Sequence, residues 1–182
     1  VRAQERAIVG EPLPRPLVEP AHVVICGYGR IGTVLGRSLE QVAIPYSVIE
    51  LNAGKVRELR KQGIDAHYGD AASYDVLKAA GVADAHSIAI TATDLVATQA
   101  AVRNARLLNP EICVIARAST RRELELLRAS GADEVVQPEF EAGLQFIRHV
   151  FDWHEVDETV TADVVDRGRT IFYEIEQQTR FE

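Results

Sequence analysis

The stretch His22-Val23-Val24-Ile25-Cys26-Gly27-Tyr28-Gly29-Arg30-Ile31-Gly32 constrains the fold more than any other part of the chain. Val23 to Cys26 is a short apolar run of the kind a buried strand requires. Three glycines follow in G-x-G-x-x-G spacing, and apolar residues at Ile31, Val34 and Leu35 then begin a helical period. Each glycine has its own physical task. Gly27 permits the tight turn, Gly29 lets the backbone approach a phosphate, and Gly32 lets the helix pack close to the strand. A helix start in this position exposes unpaired N–H groups with partial positive charge, which attract an anion.

The alternation continues downstream. Strands are expected at 22–26, 46–50, 64–68, 87–91, 112–116 and around Val135-Val136. Helices are expected at 30–42, 53–62, 73–80, 95–108, 121–130 and from Pro138 to about Phe151. Gly63, Gly81 and Gly131 end three of them, and Ser73 and Asp94 stand as N-caps for two. Strands alternating with helices imply an α/β fold of Rossmann type. The sheet is doubly wound, parallel and six-stranded, and right-handed crossovers give the order 3-2-1-4-5-6.

Four prolines between positions 12 and 20 make residues 1–20 an extended linker. Residues 21–151 form the nucleotide-binding unit, and 152–182 form a C-terminal extension. Val156, Val160, Val164, Ile171 and Ile175 drift around one helical face there, although Gly168 interrupts and Thr159-Val160-Thr161 favours a strand. The extension is read as mostly helical.

A formal net charge of −7 argues against a general nucleic-acid or anionic-membrane surface. No apolar run approaches the roughly 20 residues needed to span a bilayer. The N-terminus is polar and then proline-rich, unlike a signal peptide. The sequence starts at Val1 and has no Met, so it is read as a piece of a longer protein. Cys26 and Cys113 fall in strands one and five, about 9–10 Å apart with one strand between them, beyond the about 7 Å reach of a disulfide. Both are expected to be small buried hydrophobes in a reducing cytoplasm.

Glu50 ends the second strand, 18 residues after Gly32. A carboxylate there accepts hydrogen bonds from a ribose diol and repels a 2′-phosphate. Gly69-Asp70-Ala71 follows strand three, where Asp70 either accepts from an adenine amino group or caps the next helix. Thr91-Ala92 follows strand four and offers its backbone, while Asp94 caps. Arg30 can reach a phosphate, and Arg117, after strand five, can do so or pair with a carboxylate. Tyr28, Ile31 and Asn52, which flank these positions, complete the candidate ligand-binding set. No catalytic or metal-ligating set stands out, since His149 and His154 are five apart and do not share a helix face. Phe140, Leu144, Ile147 and Phe151 form a stripe that either covers the sheet or joins two copies, with Phe146, Val150 and Trp153 adding apolar surface beside it.

From His22 to Phe151 the chain resembles the regulator of potassium conductance domain, also called the Trk-type or Kef-type nucleotide-binding domain. The resemblance is carried by Gly27-Tyr28-Gly29-Arg30-Ile31-Gly32, Val48-Ile49-Glu50, Gly69-Asp70-Ala71, Ala116-Arg117-Ala118 and Gly131-Ala132-Asp133-Glu134-Val135-Val136. The proline-rich start and the Ala-Arg-Ala triplet are most similar to the cytosolic tail of Kef-type cation:proton antiporters. The resemblance implies a regulatory domain on the cytoplasmic side of a membrane that binds NAD(H), AMP, ADP or ATP. It implies control of a potassium channel or antiporter, and homodimers joined through the helix around Phe140–Phe151. The alternatives are a fragment of an NAD-dependent oxidoreductase and a peripheral subunit of a separate transporter.

Overall fold

In the computed structural model, which describes residues 22–174, six strands form one sheet. They are β1 (Val23–Cys26), β2 (Tyr46–Glu50), β3 (Asp65–Tyr68), β4 (Ser87–Ile90), β5 (Cys113–Arg117) and β6 (Glu134–Val136). The helices are α1 (Arg30–Gln41), α2 (Ala53–Lys61), α3 (Tyr74–Ala79), α4 (Leu95–Leu108), α5 (Arg121–Ala129), α6 (Pro138–Trp153) and α7 (Glu158–Glu174), and a single 3-10 turn (Val82–Asp84) follows α3. Every strand pairing is parallel and the order is β3-β2-β1-β4-β5-β6, the doubly wound topology expected from the alternation. The 1–20 linker and Ile175 lie outside the described residues.

Strand β1 is buried on both faces, which is why it reads as an unbroken apolar run. Its alternate residues serve two cores. Val23 and Ile25 pack with Val48, Ala66 and the α1 and α2 residues Leu39, Val56 and Leu59. Val24 and Cys26 pack with Ile88, Ile90, Val114 and the α3–α5 residues Leu77, Val102 and Leu127. Each fully buried Ile or Leu contributes about 2 kcal/mol by leaving water. The one fully buried polar residue of β2, Ser47, donates to the Ala80 carbonyl at 2.8 Å and meets the His22 ring Nε2 at 3.1 Å. Those bonds offset its desolvation.

The α1/α2 side of the sheet is closed over β1–β3 and thinner over β5 and β6. Cys113 and Ile115 are half-buried there, and Val136 is 40% exposed. This departs from the expectation of two buried cysteines: Cys26 is buried and Cys113 is only half-buried, because among the described residues no core cluster forms on that side of β5. Both thiols are free.

Two capping expectations met different outcomes. Asp94 accepts the Ala97 N–H at 2.8 Å, as a cap should. Ser73 occupies the cap position of α3, but its side chain makes no cap bond. Gly63, Gly81 and Gly131 all have positive φ where the chain leaves a helix.

Helix α7 runs through Thr159-Val160-Thr161 and Gly168, so packing overrode the local strand preference. It lies antiparallel to α6. Thr161 and Val165 are buried, and Gly168 lies beside Leu144 of α6, whose Cδ2 is 3.6 Å from where a Cβ would stand, an ordinary packing distance. Phe140 stacks on Phe172 with ring centroids 3.8 Å apart, and Arg169 pairs with Glu141 at 2.9 Å. The stripe containing Phe140 and Leu144 is therefore engaged by α7 within the same chain, while Phe146, Val150 and Trp153 on the neighbouring face are exposed.

Candidate functional site

The carboxyl ends of β1, β2, β3 and β4 and the loops after them enclose a cavity of about 540 Å³. It sits where the strand order reverses between β1 and β4, the usual ligand position of a doubly wound sheet. Gly27, Gly29, Glu50, Gly69, Asp70, Ala71, Thr91 and Ala92 line it, as do Ile49, Leu51, Ile90, Thr93, Asp94, Ala97, Thr98 and Ala101.

One end of the cavity is the uncapped start of α1. Gly29 is the N-cap of α1 and has no side chain to satisfy the first-turn N–H groups. Alone among the described helices, α1 has neither a side-chain cap bond nor an acid in its first turn. A Cβ on Gly29 would have no neighbour within 4 Å, so the space above it is open. Gly32 is the opposite case. A Cβ there would stand 2.1 Å from the Gly27 carbonyl oxygen, so Gly32 brings α1 against the turn.

Glu50 forms the next contact surface. Its Oε2 accepts the Tyr28 N–H and its Oε1 accepts the Asn52 N–H, both at 2.9 Å. A carboxylate has about four lone-pair sites, so each oxygen keeps capacity for a second donor. A vicinal diol supplies two donors at the matching spacing.

The Gly69-Asp70-Ala71 loop makes the third wall. Asp70 Oδ1 accepts the Ala72 N–H at 2.8 Å, which orders the loop and leaves Oδ2 open. On the opposite side, the Thr91 hydroxyl turns inward. It donates to the Gly27 carbonyl at 2.8 Å and lies 3.2 Å from that of Cys26, joining the loop after β4 to the glycine turn. Cys26 lies just under this turn, and burial pushes its thiol up to about 12, so it stays protonated.

The other sequence candidates do not line the cavity. Only the backbone of Tyr28 faces Glu50. Its ring folds beneath α1, where a Cβ on Gly36 would meet the hydroxyl at 2.4 Å, and that hydroxyl lies 3.3 Å from the Tyr46 hydroxyl. Asn52 caps α2 by accepting the Lys55 N–H at 3.1 Å. Arg30 and Ile31 are exposed at the α1 start. Arg117 pairs with Glu139 at 3.2 Å. The small residues Ala97, Thr98 and Ala101, which form the cavity floor, carried no chemical signal in the sequence beyond their helical spacing.

These features have counterparts in known proteins. The TrkA-N domain family matches residues 23–138. The chain belongs to that family. A relative, the putative K(+) efflux antiporter KefB of Alkalimonas amylolytica, is 33% identical over 157 residues, covering 86% of this chain and 24% of the relative. The chain thus spans about a quarter of that protein's length. The Shewanella denitrificans Kef CTD in AMP-bound form superimposes with a TM-score of 0.70 at 27% identity, covering 80% of this chain and 89% of that one. The GsuK channel bound to NAD gives a TM-score of 0.62 at 25% identity, covering 78% and 26%. No described helix of this TrkA-N domain is long and apolar enough to cross a membrane.

Proposed function

We propose that this TrkA-N domain is a cytoplasmic nucleotide sensor that regulates a cation:proton antiporter or potassium channel, and that it recognises the adenosine 5′-phosphate moiety. The observation that carries this reading is the placement of two complementary features across one cavity: an uncapped helix start and a doubly anchored carboxylate. The first suits a phosphate and the second suits a ribose with a free 2′-hydroxyl. The cavity is built from the connections after β1–β4 and leaves out Arg117 on β5. AMP, ADP, ATP and NAD(H) share the part that fits, and a nicotinamide half would lie outside it, over β5. The AMP and NAD held by two structural neighbours contain that same moiety.

Calorimetry with AMP, ADP, ATP, NAD, NADH and NADP tests the reading. Binding is expected for all but NADP, which should be at least about tenfold weaker because its 2′-phosphate meets Glu50. Glu50→Ala should weaken AMP about 10- to 100-fold, the value of hydrogen bonds to a charged group, and should narrow the gap to NADP. Absence of binding by every adenine nucleotide would overturn the proposal, as would substrate-dependent oxidation of NADH.

The domain also acts as a homodimer in this proposal. Phe146, Val150 and Trp153 recur at i, i+4 and i+7 on α6 with exposures of 72%, 51% and 89%, an apolar face that a monomer would leave in water. Replacing Val150 and Trp153 by Asp should convert dimers to monomers in sedimentation velocity. The same substitutions at Leu144 would instead break the α6–α7 packing. Dimers that persist in the Val150/Trp153 variant would place the interface elsewhere.

A further inference from the structure

We propose that Asn104, on α4 and outside the cavity, is a positioning residue for the purine end of the bound nucleotide. This role rests on the nucleotide reading of the cavity given above. The Gly69-Asp70-Ala71 loop forms one cavity wall, and Ala97, Thr98 and Ala101 of α4 form the adjoining floor. Asn104 lies three residues beyond Ala101, close to the same side of the helix. Its Nδ2 donates to the Ala72 carbonyl at 2.8 Å. Among the described residues, this is the side-chain hydrogen bond that ties the loop wall to the helical floor.

The loop's other hydrogen bonds come from its own side, while Ala71 packs against the core cluster that includes Ala101. The Gly69 N–H donates to the Glu50 carbonyl at 3.2 Å, and a Cβ on Gly69 would meet Val76 Cγ2 at 2.7 Å, so the loop start lies flat on α3. Asp70 holds the Ala72 N–H through its side chain and the Ser73 N–H through its carbonyl. These bonds give the loop its shape, and the Asn104 amide sets its distance from α4. A flat ring entering between Ala71 and the α4 floor needs that gap fixed, since a displacement of about 1 Å forfeits much of the contact energy on one ring face.

The phosphate and ribose ends do not depend on Asn104. The first uses the α1 start and the second uses Glu50. Loss of the Asn104 amide should therefore act on ligands that carry a purine and spare those that do not. Asn104→Leu keeps the bulk and removes the donor. Asn104→Asp keeps the shape and places an oxygen against the Ala72 carbonyl.

The test is calorimetry or ligand-detected NMR titration of wild type and both variants with two probes, AMP and ribose 5-phosphate, together with melting of the unliganded proteins. Both variants are expected to lose AMP affinity by about tenfold, the upper range of one hydrogen bond, and to keep ribose 5-phosphate affinity within a factor of about two. Unchanged AMP affinity in both variants overturns the role of Asn104. An equal loss for the two probes also overturns it, because that marks a general structural effect. If Asn104→Leu does not fold, Asn104→Asp decides between the same outcomes. Wild type that binds neither probe overturns the nucleotide reading itself, and the positioning role falls with it.

Discussion

Gly29→Ala is expected to lower adenine-nucleotide affinity by about 100-fold, about 2.7 kcal/mol, while the unliganded domain still folds. Gly29 has φ −77° and ψ −154°, at the edge of the extended region, so its negative φ does not demand glycine. Its added methyl would touch nothing in the protein, since no atom lies within 4 Å of the Cβ position. The methyl would instead occupy the open space above the α1 start, where the anion and its first-turn N–H partners must come together. Alanine is a poorer N-cap than glycine, so the intrinsic cost to stability is up to about 1 kcal/mol. Calorimetry with AMP and thermal melting of the free domain separate the two effects. Retained affinity would show that the phosphate does not sit on this helix. Gly32→Ala is the contrasting control, because its Cβ would collide with the Gly27 carbonyl and should lower stability and affinity together.

Asp133→Ala is expected to cost about 2 kcal/mol of stability, chiefly through the unpaired N–H of buried Val114, with the half-exposed pair to Arg106 adding little. Asp133 Oδ2 accepts the Val114 N–H at 2.7 Å in the middle of the β5 start, and the Asp133 N–H donates back to the Val114 carbonyl at 2.9 Å. The same carboxylate pairs with Arg106, whose guanidinium also binds the carbonyls of Gly131, Pro110 and Ile112. Arg106 and Asp133 together fasten the end of α4, the start of β5 and the turn into β6. For a domain of this size a loss of about 2 kcal/mol corresponds to a melting temperature lower by roughly 4–8 °C. Urea unfolding of the variant checks it, and a change below about 1 kcal/mol would mean that water replaces the carboxylate. Removing the surface partner of Arg117 through Glu139→Ala should cost less, because exposed ion pairs contribute about 0–1 kcal/mol.

Local pattern made the sheet legible. Strands such as β1 and β4 are buried on both faces and so spell continuous apolar runs, and the glycines and Glu50 mark the cavity end of two of them. Glu50, Gly29 and the Gly69-Asp70-Ala71 loop could be placed together because the topology brings the carboxyl ends of β1, β2 and β3 side by side. Contacts between distant residues were not legible. Arg106 and Asp133 are 27 residues apart, Asn104 and Ala72 are 32 apart, and Thr91 and Gly27 are 64 apart. Each bond depends on the final packing of helix on sheet and leaves no periodic trace. Tyr28 shows the limit within a motif: the spacing located its backbone beside Glu50 but said nothing of a ring that turns away beneath Gly36. The strand preference of Thr159-Val160-Thr161 was a true local signal, outweighed by the α6 surface that α7 covers.

The anchored carboxylate of Glu50 has a thermodynamic and kinetic consequence. A free glutamate loses up to about 2 kcal/mol of rotamer entropy when it is fixed. Here both oxygens are already held by backbone amides, so that loss was incurred when the domain folded. In the proposed function an arriving nucleotide would meet an acceptor aimed in advance, and binding would not wait for a side chain to search. Affinity can then be moderate in absolute terms and still respond quickly when nucleotide concentration changes.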